Sequence, residues 1–432
     1  MPFEQMQGAP RRIAVIGAGI SGMSAAHELA KDHQVVLFEA EQRLGGHART
    51  RMAGRNGDQP VDTGFIVFNY ANYPHLAALF DELDVPVTKS NMSFGASIDG
   101  GRFEYGLASL QALFAQPKHA LSPKFLRMCR DILNFNKNGL RLAEEEGLTV
   151  RGLIEKLGAS DHFRDYYLLP LSGAIWSTPT EKIMDFPAHA MMTFFKNHAL
   201  LGITGQHQWY TVQGGSQEYV SRLGVSMAER GVVIRLGTPV DGVRRTGTTV
   251  EIKAPGSDWE AFDDVIFATH SDDTLRMLTD AYASEQKILG SVKYQPNRIV
   301  LHSDARIMPK RKSVWSSWVY TEDSEKLSDR IDLTYWMNKL QPWLKQDDLF
   351  VTLNTTRDID PALIWDEVTL RHPVYDLEAL AAQDAAAAIN GANKTWFCGA
   401  WMKNGFHEDG ISSAMDVVAA IRAREALSLA AE

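Results

Sequence analysis

Three glycines, Gly17, Gly19 and Gly22, follow a short β-branched run from Arg12 to Ile16, the spacing of a loop that wraps a phosphate. Gly17 allows a tight turn, Gly19 lets backbone approach a pyrophosphate, and Gly22 lets a helix pack closely on a strand. A helix that starts there offers free N–H groups and a partial positive charge to anionic oxygens. Glu39 ends the next apolar run, Val35 to Phe38, where a carboxylate accepts hydrogen bonds from ribose hydroxyls. This unit binds a dinucleotide but does not by itself separate FAD from NAD. A second polar constellation lies in the turn Gly405 to Gly410, reading GFHEDG. Its His407 and Glu408 are candidate catalytic proton acceptors, with turn capping as the alternative role.

The elements that must position these residues are legible as periodicity. A strand, glycine turn, helix through Ala30 and second strand form one βαβ unit of a parallel sheet. Val232 to Leu236, Val250 to Ile252 and Asp264 to Thr269 read as further strands, and Thr395 to Ala400 as another, followed by a helix from about Ile411. Residues 102–200 are helix-rich, and 291–380 carry Trp and Tyr in alternating patterns. The expected fold is α/β: a Rossmann-like nucleotide domain of residues 10–95, 205–290 and 381–432. A substrate domain of mixed α+β character, residues 96–204 and 291–380, is inserted twice and includes a helical, membrane-facing part.

Composition narrows the class. With 45% hydrophobic and 22% charged residues, the 432-residue chain reads as an ordinary globular protein. A formal net charge of −9 argues against general nucleic-acid binding, which needs a basic field. Cys129 and Cys398 are far apart and outside any CxxC pair, against a redox dithiol or a cysteine zinc site. The 13 histidines include no HExxH, so no metal site is expected, and neither a GxSxG elbow nor a P-loop lysine is present. The N-terminus lacks an apolar signal core and no run is long enough to span a bilayer. The expectation is a cytoplasmic protein whose membrane contact, if it has one, is peripheral on the inner face.

The residues after Glu39 carry a resemblance. Arg43-Leu44-Gly45-Gly46-His47-Ala48-Arg49-Thr50 is followed by Val61-Asp62-Thr63-Gly64, then Val212-Gln213-Gly214-Gly215-Ser216 and Gly237-Thr238-Pro239-Val240. Val265 to Thr269, Phe397-Cys398-Gly399-Ala400 and Gly410-Ile411-Ser412-Ser413-Ala414 complete the series. In order and from end to end, these pieces resemble the flavin-containing amine oxidase and phytoene desaturase superfamily. The resemblance implies an extended FAD, with Glu39 on the adenosine ribose and Arg43 near the pyrophosphate. It places Gly45, Gly46, Arg49 and Gly64 along the flavin, and Gly399, Gly410 and Ile411 beside the isoalloxazine ring. The final helix would direct its N-terminal amides at the ring edge where negative charge develops on reduction. Pro170 to Ser177 (PLSGAIWS) and GFHEDG are similar to a bacterial group of amine-oxidase-like proteins associated with fatty-acyl modification, including desaturation of methyl-branched chains.

Two segments bear on substrate. Lys118, Lys124, Arg127, Arg130, Lys137 and Arg141 interleave with Leu121, Phe125, Leu126, Ile132, Leu133 and Phe135, a pattern suited to an anionic membrane surface or to a solvated helix face. Met191, Met192, Phe194, Phe195, Leu200 and Leu201 suit a greasy tunnel or a packed core. The leading expectation is an FAD-dependent desaturase of a membrane lipid's acyl chain, which loses a hydride to flavin and a proton from the neighbouring carbon. The alternatives are an amine oxidase with Trp176 and Trp401 in an aromatic cage, a carotenoid-type desaturase or isomerase, and a flavoprotein without catalysis. No second GxGxxG follows a strand, so the electron acceptor stays open among oxygen, a quinone and another protein.

Overall fold

Ile13, Ala14 and Val15 of the strand Arg12–Ile16 (β1) are fully buried, because helices cover both faces of the sheet to which it belongs. The computed structural model describes residues 9–176, 183–202, 205–323 and 332–431, with the side chains of 428–431 excepted. β1 pairs in parallel with Gln34–Phe38 (β2) on one side and with Asp264–Phe267 on the other. Val233–Arg235 extends the sheet beyond β2, and Thr395–Phe397 extends it beyond Asp264–Phe267. In chain order this is 3-2-1-4-5, the doubly wound arrangement whose ligand crevice lies at the carboxyl ends of the strands. Side chains alternate across it. Ile13 and Val15 pack with the helix Ile20–Leu29 (α1) and the terminal helix His407–Ala431, whereas Ala14 and Ile16 face Leu289 and the helix Leu377–Ile389.

A second, seven-stranded sheet runs Ile364–Val374, Lys293–His302, Phe350–Leu353, Asp332–Trp336, Trp318–Thr321, Phe94–Ile98 and Phe103–Gly106. Its pairings are antiparallel except for Trp318–Thr321 on Phe94–Ile98. The sequence boundary at residue 95 therefore falls inside a strand of this sheet. The helix-rich segment forms as expected. Helix Pro123–Leu142 starts with proline at its first position, and the Ser122 hydroxyl accepts the Phe125 N–H (3.3 Å). Phe125, Met128 and Phe135 bury its inner face in one core with Phe195 of helix Ala188–Asn197. Pro170 to Trp176 lies in a helix, Leu169–Trp176, while Ser177 lies outside the described residues.

The last helix begins at His407 rather than at Ile411. Phe406 O already accepts the Gly410 N–H (3.1 Å), and the Asp409 carboxylate accepts the Phe406 N–H (2.9 Å) and so closes the first turn. No helix among the described residues is long and apolar enough to cross a membrane.

Candidate functional site

The glycine loop behaves as its spacing requires. Gly17 has φ +98°, and a Cβ on Gly22 would lie 1.8 Å from Gly17 O, so only glycine lets α1 start there. A Cβ on Gly19 would instead meet nothing within 4 Å, so this glycine borders an open cradle at the start of α1. Gly45 N–H donates to Ala18 O (2.8 Å), which docks the second glycine pair against the first loop. Glu39, just past β2, accepts N–H bonds from Ala18 (2.7 Å) and Glu41 (2.8 Å), leaving lone pairs on both oxygens for hydroxyl donors. Free amides at a helix start, an open cradle and a carboxylate at the strand end fit an adenosine diphosphate moiety.

Both arginines of this motif also brace the fold. Arg43 donates to the carbonyls of Gly46 (2.8 Å) and Ala48 (3.1 Å) and pairs with Glu41 (2.8 Å), so it braces the loop of the second glycine pair. Arg49 is buried and pairs with Asp366 on the strand Ile364–Val374, tying the nucleotide half to the seven-stranded sheet. Asp62 is a second tie. It accepts from Thr50 Oγ1 (2.6 Å), Ser216 N (2.8 Å), Ser216 Oγ (2.7 Å) and Gln341 Nε2 (2.6 Å), which joins three sequence motifs at one carboxylate. Burial raises its pKa to about 6 against the lowering effect of those bonds.

Gly64 and Gly399 permit close approaches. A Cβ on Gly64 would lie 1.9 Å from His47 O, and one on Gly399 would meet the Trp401 ring at 2.8 Å. Ser413 Oγ accepts the Gly399 N–H (2.9 Å) and donates to Gly410 O (2.8 Å), fastening this turn to the terminal helix. Gly410 sits inside the first helical turn, where a Cβ would press on Ile20 and Ser21 at 2.9 Å. The Ile411 side chain is buried with α1, so only its backbone is available to a ring.

Four histidines gather near these turns: His407, already a candidate from the sequence, and His47, His270 and His372, which the sequence did not single out. His47 follows Gly46, His270 follows the strand Asp264–Phe267, His372 lies on Ile364–Val374, and His407 opens the terminal helix. The His47 ring lies 5.9 Å from His270 and 5.6 Å from His372, and His270 stacks on Tyr294 at 4.3 Å. Burial first, then the neighbouring His47, pushes His372 and His407 down to about 3, and burial likewise lowers His270 to about 3. All three imidazoles are neutral at physiological pH. His270 also adjoins Asp272 and Asp273, but Arg371 pairs with both carboxylates. His407 stacks on Phe65 at 3.9 Å and is hydrogen-bonded through Nε2 to Tyr219 Oη (2.7 Å).

The other proposed acid–base residue has a structural task. Glu408 accepts the N–H groups of His75 (3.0 Å) and Leu76 (3.0 Å) at the start of the helix Pro74–Glu82 (α2), capping it with both oxygens. Trp401 is likewise redirected. It is buried beneath the five-stranded sheet with Nε1–H donated to Thr269 O (3.1 Å), in a different core from Trp176, so these two indoles form no cage. Trp176 contacts Phe186 (5.6 Å) and Phe194 (4.9 Å), and Phe194 stacks on Phe406 (5.2 Å), the residue before His407. Phe195 stacks on Trp176 (6.2 Å) and reaches Phe135 (6.1 Å) in the helical core. Trp176, Ile183, Phe186, Met191 and Tyr375 line a cavity of about 400 Å³ that also has Asp185, Asp376 and Glu378 on its wall.

A doubly wound sheet with this loop, acid and helix-start cradle defines a dinucleotide-cofactor protein. The chain belongs to the flavin-containing amine oxidoreductase family, whose sequence model matches residues 20–297. FAD is thus its cofactor and oxidoreductase its class. Short segments are similar to L-amino acid oxidases: 44% identical over 54 residues to that of Cerastes cerastes (12% of this chain, 10% of the relative), and 52% over 42 residues to that of Sistrurus catenatus edwardsii (10% and 8%). The matched segments span about a tenth of the length of these curated relatives. Solved structures share the fold over nearly the whole chain. A CLA-producing fatty acid isomerase from P. acnes superposes with a TM-score of 0.65 at 14% identity, covering 95% of this chain and 99% of that one. Cyclohexylamine oxidase from Brevibacterium oxydans IH-35A gives 0.66 at 17%, covering 95% and 98%.

Proposed function

We propose that this flavoprotein desaturates an acyl chain of a membrane lipid. The observation that supports this reading most directly is the run of aromatic contacts from the wall of the 400 Å³ cavity at Trp176, through Phe194, to Phe406, the residue before the neutral imidazole of His407. Bound FAD supplies the hydride acceptor. The chain's own part is to hold a methylene segment among aromatic rings, exclude water and take up a proton. In the tautomer whose Nε2–H is donated to Tyr219 Oη, Nδ1 of His407 carries the lone pair that accepts the proton from the carbon beside the oxidised one. The oxidant that later regenerates the flavin is oxygen, a quinone or a partner protein. The same fold serves a fatty acid isomerase, so it is compatible with an acyl substrate.

An amine oxidase is the second reading, favoured by the carboxylates Asp185, Asp376 and Glu378 around the cavity, which would attract a cationic amine. Anaerobic mixing of the holoprotein with candidate substrates separates the two. Bleaching of the flavin by vesicles with unsaturated or methyl-branched chains, with loss of two hydrogens from the acyl chain by mass spectrometry, is the expected result. Bleaching by primary or polyamines alone would replace it with the second reading.

A further inference from the structure

The helix Pro123–Leu142 carries charge of the opposite sign to the rest of the molecule. The chain has a formal net charge of −9, yet Lys124, Arg127, Arg130, Lys137 and Arg141 on this helix are all exposed. Its one carboxylate, Asp131, is buried, accepts the Ser160 N–H (2.9 Å) and lies within 3.7 Å of Arg127 and 3.5 Å of Arg130. At 3.6 residues per turn, Leu126, Arg130, Leu133, Lys137 and Arg141 fall within a sector of about 80°. Leu126 and Leu133 are 46% and 51% exposed in that sector, and Leu121, two residues before the helix, is 86% exposed. Arg130 and Lys137 line an open groove of about 380 Å³ with Leu133, Asn134 and Leu157. The acidic run Glu144-Glu145-Glu146 begins only past the end of the helix and marks the edge of this face.

We propose that this face is a docking surface for an anionic phospholipid bilayer. Arg127 and Arg130 share the single carboxylate of Asp131, and among the described residues Lys124, Lys137 and Arg141 have no carboxylate partner, so the face keeps a net positive charge that is drawn to lipid phosphates by an attraction that falls off within a Debye length. Leucines beside them have no use on a solvated helix or against a nucleic-acid backbone, but they gain by entering the boundary between headgroups and acyl chains. The inner face is already spent on Phe125, Met128 and Phe135, so the helix docks as a fixed part of the fold and does not insert. This inference does not depend on the substrate. It holds for an amine oxidase as well as for a desaturase.

Co-sedimentation of the FAD-loaded protein with phosphatidylglycerol-containing vesicles, compared with pure phosphatidylcholine vesicles, tests it. The expected result is binding only to the anionic vesicles, reversed by high salt. The double variant Arg130→Glu/Lys137→Glu should bind at least tenfold more weakly, and Leu126→Ser/Leu133→Ser should also bind more weakly. Lys287→Glu/Lys293→Glu, the same charge change on exposed lysines elsewhere, should bind as the parent does. Unchanged flavin content shows that each variant is folded. Three results would overturn the proposal: no binding to anionic vesicles at low salt, equal loss in the Lys287/Lys293 control, or leucine variants that bind vesicles undiminished, the mark of a nonspecific polyanion site.

Discussion

Nε2 of His407 lies 2.7 Å from Tyr219 Oη while its ring stacks at 3.9 Å on Phe65, so the imidazole is fixed in both position and plane. Burial holds its pKa at about 3, so it is an unprotonated acceptor throughout the physiological range. If it takes the substrate proton, the rate of anaerobic flavin reduction should stay level across the usual histidine range near pH 6.5. His407→Gln should slow that step by about 10²–10⁴-fold with flavin still bound. A rate that falls with an apparent pKa near 6.5, or an unaffected glutamine variant, would remove His407 from the chemistry.

Glu408 should separate from its neighbour in the same assay. Both carboxylate oxygens cap α2, so Glu408→Gln gives up a charge-assisted cap. The expected loss of stability is about 1 kcal/mol by chemical denaturation, with flavin reduction unchanged. A large drop in reduction rate at unchanged stability would return Glu408 to the catalytic candidates.

Gly19 and Gly22 divide cofactor binding from folding. Alanine at 22 would drive a Cβ into Gly17 O at 1.8 Å, whereas alanine at 19 meets no protein atom within 4 Å. Gly22→Ala should therefore lower the melting temperature of the apoprotein, and Gly19→Ala should leave it unchanged while stripping FAD from the purified protein. Measuring flavin-to-protein ratio alongside apoprotein melting checks both. Full flavin content in Gly19→Ala would mean that the cradle is not the pyrophosphate seat.

The contrast between these sites explains what the sequence disclosed. The glycine loop, Glu39 and the first βαβ unit were legible because their residues are contiguous and each answers to a local rule of backbone or periodicity. The histidine group was not, since positions 47, 270, 372 and 407 meet only when two separate sheets are placed side by side. The ion pair of Arg49 with Asp366 could not be read either, since Arg49 adjoins the glycine pair and its partner lies far along the chain on another sheet. Trp401 misled for a related reason. One residue past the Gly399-Ala400 turn the chain has crossed under the sheet, so an aromatic beside a cofactor motif became core.

Acid should destabilise the fold through histidines remote from the site. His27, His119 and His302 are buried and each is pushed down to about 4, chiefly by loss of solvation. His27 keeps a bond to Ser226 Oγ (2.9 Å) and His302 one to Thr352 Oγ1 (2.7 Å), but His119, packed on Phe125 at 4.4 Å, has no partner for either ring nitrogen. Below about pH 6.5 the unfolded chain binds protons that the folded one refuses, so stability falls as pH drops and keeps falling until the folded groups titrate near 4. At pH 5 each contributes a loss of at most about 2 kcal/mol relative to pH 8. His119→Leu removes one such group without breaking a hydrogen bond. Its stability by urea denaturation should match or exceed the parent's at pH 8 and exceed it by a further 1–2 kcal/mol, roughly, at pH 5. An equal difference at the two pH values would show that His119 does not titrate differently in the folded and unfolded chains.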